Sequence, residues 1–279
     1  MQFDLLIQSG EVYDGTGAQA RRIDIGVRGT RIVFAGDGSG AQARQVIDAT
    51  GQVVAPGFID IHTHSDMSLL IDGRGQSKLS QGVTTEVTGN CGFSPFPINP
   101  AHLQLHQDLL AGIGDDAVEL TWVDLQGYRE VAERQGIAVN VAPLVGHGAL
   151  RIAAMGVSSA AASPQQLATM QALLGRMLDQ GAFGLTTGLT YVPSRYAPTS
   201  ELVSLCETLA ARGRLYASHA RDKDLHGDDH RYAPLHEALH LGRSTGVKVQ
   251  YSHAASIRPR NGAAQAPGRR SSRPPCSRA

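Results

Sequence analysis

The sequence predicts an α/β fold, an incomplete TIM-like (β/α)8 barrel of about six βα units with a small N-terminal β-subdomain. Two observations lead to this prediction. From residue 53 onward, short β-branched apolar runs alternate with longer segments of helical period, the pattern of parallel βα units. Before residue 57, only short strand-like runs occur, separated by turn signals. We therefore expect a β-subdomain over 1–56, a partial barrel over 57–256 and a tail over 257–279.

The N-terminal subdomain is predicted from runs in which apolar residues alternate with polar ones. Strand candidates lie at Phe3 to Ile7, Ile23 to Val27, Arg31 to Ala35 and Gln45 to Ile47. Because these strands are short and few, an isolated sheet would be marginal unless another part of the protein covers it.

The barrel is predicted from six further strand candidates, each followed by a helical or turn segment. The strands lie at 58–62, 84–88, 137–144, 183–187, 215–219 and 247–253. Helices are predicted over 101–113, 124–135, 164–180, 200–212 and 233–245. The third of these helices has the clearest start, because Ser163 can cap it, Pro164 suits the first turn and Gln166 completes a capping box.

After Ser256 the apolar pattern stops, and residues 257–279 are rich in Arg, Pro, Ser and Gly. This composition predicts a disordered basic tail. Two of the eight barrel strands are then missing, and we expect that the natural continuation was truncated or replaced by a frameshift.

Composition favours a small-molecule partner. Twenty-five basic and twenty-five acidic residues give no net charge, so no overall attraction to nucleic acid or to a membrane surface is implied.

The N-terminus lacks the basic region of a signal peptide, and the three cysteines are too few for a disulfide framework. We expect a cytoplasmic protein, and the residues leave its oligomeric state open.

Candidate metal ligands lie at the carboxyl ends of the predicted strands. His62 and His64 follow the first barrel strand with the spacing that lets two imidazoles face one ion. Cys91 lies just past the second strand, and His219 and His253 end the fifth and sixth. Each residue alone is ordinary, but parallel strand ends meet at one face of a barrel. Nitrogen and sulfur ligands of this kind suit one or two zinc ions.

These motifs resemble the D-aminoacylase, or N-acyl-D-amino-acid deacylase, branch of the amidohydrolase superfamily. The resemblance rests on Ala-Pro-Gly-Phe-Ile-Asp through His64-Ser-Asp, on Gly89-Asn-Cys-Gly-Phe-Ser, and on Ser218-His-Ala-Arg-Asp with Ser252-His. It implies that Cys91, His219 and His253 hold a tightly bound zinc ion. It assigns His62 and His64 to a second, weaker site.

The resemblance also implies zinc-dependent hydrolysis of an N-acyl-D-amino acid to a D-amino acid and a carboxylate. No lysine occurs between Lys78 and Lys223, so the carboxylated lysine of other superfamily branches has no counterpart and the cysteine is its natural substitute. An aspartate is expected after the eighth strand, which this sequence lacks. The catalytic base therefore stays unassigned.

Substrate recognition departs from the branch pattern, because Ala255 stands where a lysine commonly follows the sixth-strand histidine. Tyr191 and Arg221 are the candidate substrate-binding residues, although Arg221 could equally be a structural ion-pair partner. His147 receives no role, and the remaining histidines, including His102 and His106, are expected to be solvated.

Two other functions stay open at this point. The chain could be a catalytically inactive fragment that at most binds zinc, or an amidohydrolase that acts on another cyclic amide or a dipeptide.

Overall fold

The structure, a computed structural model, describes residues 1–113, 118–221 and 233–254. Within these residues the chain divides into two compact units. The first contains residues 1–60 and 76–85, and the second contains residues 61–75 and the described residues from 86 onward. The predicted tail over 257–279 lies outside the described residues, and the predicted domain boundaries stay a prediction.

The first unit contains a five-stranded sheet. Its strands are β1 (Gln2–Val12), β2 (Arg21–Arg28), β3 (Arg31–Gly36), β4 (Gln42–Asp48) and β5 (Val53–Val54). The order is β3-β2-β1-β4, with β5 also paired to β1. β1 is antiparallel to β2 and parallel to β4 and β5. Phe3, Leu6 and Ile25 are buried, and Gly26 leaves room for the Phe3 ring, which would lie 2.7 Å from an added Cβ.

A second sheet has six strands in the order in which they occur along the chain. They are β6 (Phe58–Asp60), β7 (Val83–Thr88), β8 (Asn140–Gly146), β9 (Gly184–Gly188), β10 (Leu215–His219) and β11 (Lys248–Ser252). β8 pairs in parallel with β9, β9 with β10, and β10 with β11. This curled parallel sheet confirms the predicted fold class, an incomplete TIM-like barrel.

The described residues contain eight α-helices, most of which connect the strands of the second sheet. They are α1 (Ser68–Ile71), α2 (Gln76–Leu79), α3 (Leu103–Ala111), α4 (Leu125–Gln135), α5 (His147–Met155), α6 (Pro164–Asp179), α7 (Thr199–Ala210) and α8 (Ala233–Thr245). The predicted capping box of α6 is present, because Ser163 and Gln166 exchange side-chain to backbone hydrogen bonds. None of the described helices has the length and apolar character needed to span a bilayer.

Helix α5 was not predicted. Its residues from His147 to Ala153 are all buried, including the polar His147 and Arg151, so this stretch of the helix presents no polar face to solvent. It follows β8 directly and packs against α6 and β9. The core between the sheet and its helices is formed by large apolar side chains, among them Leu174, Met177, Leu185 and Leu202.

Candidate metal centre

His62 and His64 lie in the loop that follows β6. The strand ends at Asp60, two residues earlier than predicted, so the two imidazoles are presented by a loop rather than by one face of a strand. Their ring centroids are 5.6 Å apart and nearly perpendicular. The backbone N–H of Thr63 donates to the carbonyl of Val87, which holds this loop beside the end of β7.

Cys91 lies in a tight turn after β7. Its φ of 55° is in the left-handed region, as are those of Gly89 and Gly92 on either side. A Cβ at Gly89 would lie 2.1 Å from the carbonyl oxygen of Leu144, and one at Gly92 would lie 2.7 Å from the backbone nitrogen of Gly188. Only glycine fits at both places. The Gly-Asn-Cys-Gly motif is therefore the sequence that lets Cys91 approach the ends of β8 and β9.

Two further histidines come from β10 and β11, which lie at the opposite end of the strand order from β6. His219 ends β10 and is 8% exposed, and its Nε2 lies 3.0 Å from the hydroxyl of Thr190. His253 follows β11 with a φ of 53°, again in the left-handed region. β10 and β11 pair in register, with His219 opposite Ser252, so the two histidines lie at the same end of the sheet.

All five predicted ligands meet around the Cys91 thiol. Its Sγ lies 3.3 Å from Nε2 of His253 and 3.4 Å from Nε2 of His62. Two groups of three have ligand atoms within 4.8 Å of one another, one with His62, His64 and Cys91 and the other with Cys91, His219 and His253. Cys91 belongs to both groups. Either group could hold a metal ion, and a cysteine shared between them could bridge two.

The chemistry of these donors fits zinc, which takes thiolate and imidazole ligands. His64 supports this fit, because its Nδ1 is buried and has no hydrogen-bond partner among the described residues. Burial, together with the charge of His253, lowers the pKa of His64 below its usual value. The imidazole is therefore neutral at neutral pH, which is the form that binds a metal.

Six aromatic and imidazole rings contact one another in a closed ring around the site. Phe93 and Tyr191 lie between His64 and His219 in this arrangement. The ring centroids of Phe93 and Tyr191 are 5.1 Å apart, and those of Tyr191 and His219 are 4.9 Å apart. The arrangement closes through His253, whose ring lies 5.1 Å from His219 and 4.3 Å from His62. One side of the site is thus imidazole and the other is an aromatic wall.

A sequence profile of the amidohydrolase family matches residues 45–249. The chain belongs to the amidohydrolase family. Within it, the chain is 41% identical over 251 residues to a D-aminoacylase of Alcaligenes xylosoxydans xylosoxydans, a match that covers 90% of this chain and 50% of the relative. It is 43% identical to an N-acyl-D-aspartate deacylase of the same organism, over 90% of this chain and 49% of that protein.

A solved amidohydrolase structure agrees with the fold. The N-acyl-D-glutamate deacylase of Bordetella bronchiseptica, crystallised with zinc and a phosphonate inhibitor, superposes with a TM-score of 0.81 at 38% identity. The match covers 89% of this chain and 51% of that one. The chain thus spans about half the length of the relatives that it matches, and the resemblance to the deacylase branch is confirmed.

The two predicted substrate-binding residues differ in their surroundings. Tyr191 is 40% exposed and lies at the edge of the metal-ligand group. Arg221, in contrast, forms an ion pair with Glu237 and donates to the backbone carbonyls of Arg195 and Ala197. These contacts match the structural alternative for Arg221. The equivalent of the missing lysine, Ala255, lies outside the described residues.

Several buried polar groups of this amidohydrolase chain were not predicted. Glu86 is fully buried on β7, where it accepts a hydrogen bond from Ser65, and Thr88 is fully buried two residues further on. The signal was present, because Thr84, Glu86 and Thr88 alternate along one strand and an alternation of polar residues indicates a polar barrel interior.

The prediction that His106 is solvated was wrong. His106 is 1% exposed, and its Nε2 accepts a hydrogen bond from the backbone N–H of Asn99. His147, to which the sequence assigned no role, is also completely buried and lies 2.8 Å from a carboxylate oxygen of Glu201.

Proposed function

We propose that this chain carries the metal-binding part of a zinc-dependent deacylase that hydrolyses N-acyl-D-amino acids to a D-amino acid and a carboxylate. The observation that supports the proposal most strongly is the convergence of five side chains, Cys91 and four histidines, from four separate strand ends. The names of the relatives, a D-aminoacylase and an N-acyl-D-aspartate deacylase, support the substrate class.

In this proposal Cys91, His219 and His253 hold one zinc ion tightly. His62 and His64 form a second and weaker site that shares Cys91. Bound zinc would supply a Lewis acid for the scissile carbonyl and a water molecule of lowered pKa.

The protein groups around this site have separate tasks. The Thr190 hydroxyl, 3.0 Å from Nε2 of His219, orients that imidazole before metal binds. The wall formed by Phe93 and Tyr191 excludes water from one side, and the partly exposed Tyr191 is in a position to contact the acylated amino acid. Neither candidate ligand group contains a carboxylate in the described part of the chain, so the proposal assigns no general base.

A second candidate function is a metal-binding product without hydrolytic activity. One observation favours it: neither ligand group found among the described residues contains an acidic residue that could move a proton. Both candidates require the same metal site, and they differ only in turnover.

One experiment separates the two. The full chain is purified, its zinc content is measured by elemental analysis, and hydrolysis of N-acetyl-D-methionine is compared with that of N-acetyl-L-methionine. Zinc in the protein with D-selective turnover that a chelator abolishes supports the deacylase. Zinc without turnover supports the inactive metal-binding chain, and a folded chain that binds no zinc contradicts both.

A further inference from the structure

The segment from Tyr191 to Ala197, called the 191–197 segment below, connects the metal-ligand group to the protein interior. Tyr191 stands at its start, with its ring centroid 4.9 Å from that of His219. The segment folds tightly on itself, because the N–H of Arg195 donates to the carbonyl of Tyr191 and that of Ala197 to the carbonyl of Ser194. A displacement of its later residues would therefore move Tyr191 as well.

Arg221 holds the outer end of this segment. Its Nη1 donates to the carbonyl of Arg195 and its Nη2 to the carbonyl of Ala197, each at 2.8 Å. Its Nε donates to Glu237, which also accepts a hydrogen bond from Thr199. A planar guanidinium can make these contacts at once, whereas a lysine ammonium cannot.

A buried polar network holds the middle of the segment. Ser194 is 2% exposed, and its hydroxyl lies 3.0 Å from Nδ1 of His147. The other ring nitrogen of His147 contacts Glu201, whose carboxylate accepts two further hydrogen bonds from Arg151. His147 and Arg151 are 0% exposed and Glu201 is 3% exposed, so the network is fully desolvated.

The ionisation states in this network follow from its burial. Burial lowers the pKa of His147, although the neighbouring Glu201 opposes that effect. Burial alone would raise the pKa of Glu201, but its hydrogen bonds to His147 and Arg151 outweigh this and lower it. A neutral His147 donates from Nε2 to the ionised Glu201 and accepts at Nδ1 from the hydroxyl of Ser194. The orientation of Ser194 is thus fixed from within the core.

We propose that Arg221 and His147 are positioning residues that hold the 191–197 segment so that Tyr191 packs against His219. This inference deepens the proposed function and rests on it, since His219 is one of the proposed zinc ligands. It assigns to Arg221 a role other than contact with a substrate carboxylate. It also assigns to the buried His147 network a positioning role at the site.

The test uses the full chain without metal and reads the NMR signals of the His219 ring, which are assigned with His219→Gln. An aromatic ring 4.9 Å away shifts the imidazole protons through its ring current. Tyr191→Leu removes that effect and defines the reference position. Arg221→Met and Ser194→Ala each release one attachment of the segment. Arg212→Met is the matched control, because Arg212 also pairs with one acid, Asp179, but on the surface.

In Arg221→Met we expect the His219 signals to move at least half of the way to the Tyr191→Leu position, with a smaller move in Ser194→Ala and none in Arg212→Met. A merely structural contribution to stability would leave these signals in place. His219 signals at the parent position in folded Arg221→Met protein would overturn the proposal. If that variant does not fold, unchanged signals in Ser194→Ala have the same consequence.

The two proposals fail in different ways. A chain that binds no zinc contradicts the proposed function. The comparison of His219 signals among the variants stays valid in that case, because the spectra are recorded without metal. Unchanged His219 signals in a chain that does bind zinc overturn the positioning roles alone.

Discussion

The Sγ atom of Cys91 lies 3.3 Å from Nε2 of His253, although 162 positions separate the two residues in the sequence. Both residues have a left-handed backbone, which is uncommon for a side chain with a Cβ. The fold therefore holds two strained residues against each other, and at active and ligand sites strain of this kind is maintained by the surrounding structure. At this distance a thiol and an imidazole could coordinate the same metal ion.

We expect Cys91→Ala to weaken zinc binding by roughly two orders of magnitude. Binding free energies of roughly 10–16 kcal/mol, divided among about four ligands, give about 3 kcal/mol for each. The measurement is the zinc dissociation constant from competition with a chromophoric chelator.

Cys206→Ser provides the matched control for this prediction. Cys206 is the other cysteine within the described residues and is fully buried. Burial raises the pKa of its thiol to about 12, so it stays protonated and is a poor metal ligand. Equal zinc affinities in the two variants would contradict the assignment of Cys91.

We expect the buried His106 to make the protein less stable in acid. Burial, with a contribution from His102, lowers the pKa of His106 from 6.5 to about 4. The unfolded chain then binds more protons than the folded protein between these pH values, so stability rises with pH across that window. The full effect is roughly 3 kcal/mol. It is absent above pH 6.5 and complete below pH 4.

The measurement is the free energy of unfolding in urea at several pH values, for the parent and for His106→Gln. Glutamine can still accept the hydrogen bond from the Asn99 N–H but does not titrate. The parent should lose more stability than the variant as the pH falls. His147, whose pKa is also lowered, contributes equally to both proteins and cancels from the comparison. Parallel curves would show that His106 does not titrate in this way.

The meeting of the five candidate ligands was largely predictable from the sequence, because they follow four recognisable strands, with His62 and His64 sharing one. In a parallel sheet the carboxyl ends of strands lie at one edge, so Cys91, His219 and His253 were expected to meet. The reason given for His62 and His64 differs from what the structure shows. We expected the two residues to lie on one face of a strand, but β6 ends before them and a loop presents both rings.

Other features could not be predicted because they depend on long-range packing. Helix α5 is buried from His147 to Ala153, so it lacks the solvent-exposed polar face that identifies a helix at the protein surface. Arg221 has acidic neighbours in sequence, and only the packing of α8 selects Glu237 as its partner. The burial of His106 likewise depends on how its helix packs in the folded protein, which the sequence of that helix alone does not reveal.

We expect Glu201→Gln to destabilise the protein by roughly 3 kcal/mol or more. The substitution leaves the guanidinium of Arg151 buried and without a counter-ion, and loss of one partner of a buried pair costs about 3–5 kcal/mol. Asp179→Asn is the control, because the Arg212–Asp179 pair is solvent-exposed and contributes about 1 kcal/mol or less. Urea unfolding measures both. Similar losses in the two variants would mean that the buried network contributes no more than a surface pair.

We expect Gly89→Ala to lower both stability and zinc affinity. Gly89 has a φ of 78°, and a Cβ there would lie 2.1 Å from the carbonyl oxygen of Leu144. The backbone of the turn must shift to relieve this overlap, which together with the left-handed strain costs about 2–4 kcal/mol. Because Cys91 lies two residues further along the same turn, its thiol moves away from His253 and the zinc dissociation constant rises.

Gly213→Ala separates the overlap from the backbone strain. Gly213 also has a positive φ, of 62°, but an added Cβ there would meet no atom within 4 Å. This variant should lose about 1 kcal/mol and keep the parent's zinc affinity. If Gly89→Ala also keeps that affinity, then the position of Cys91 does not depend on the close approach of this turn to β8.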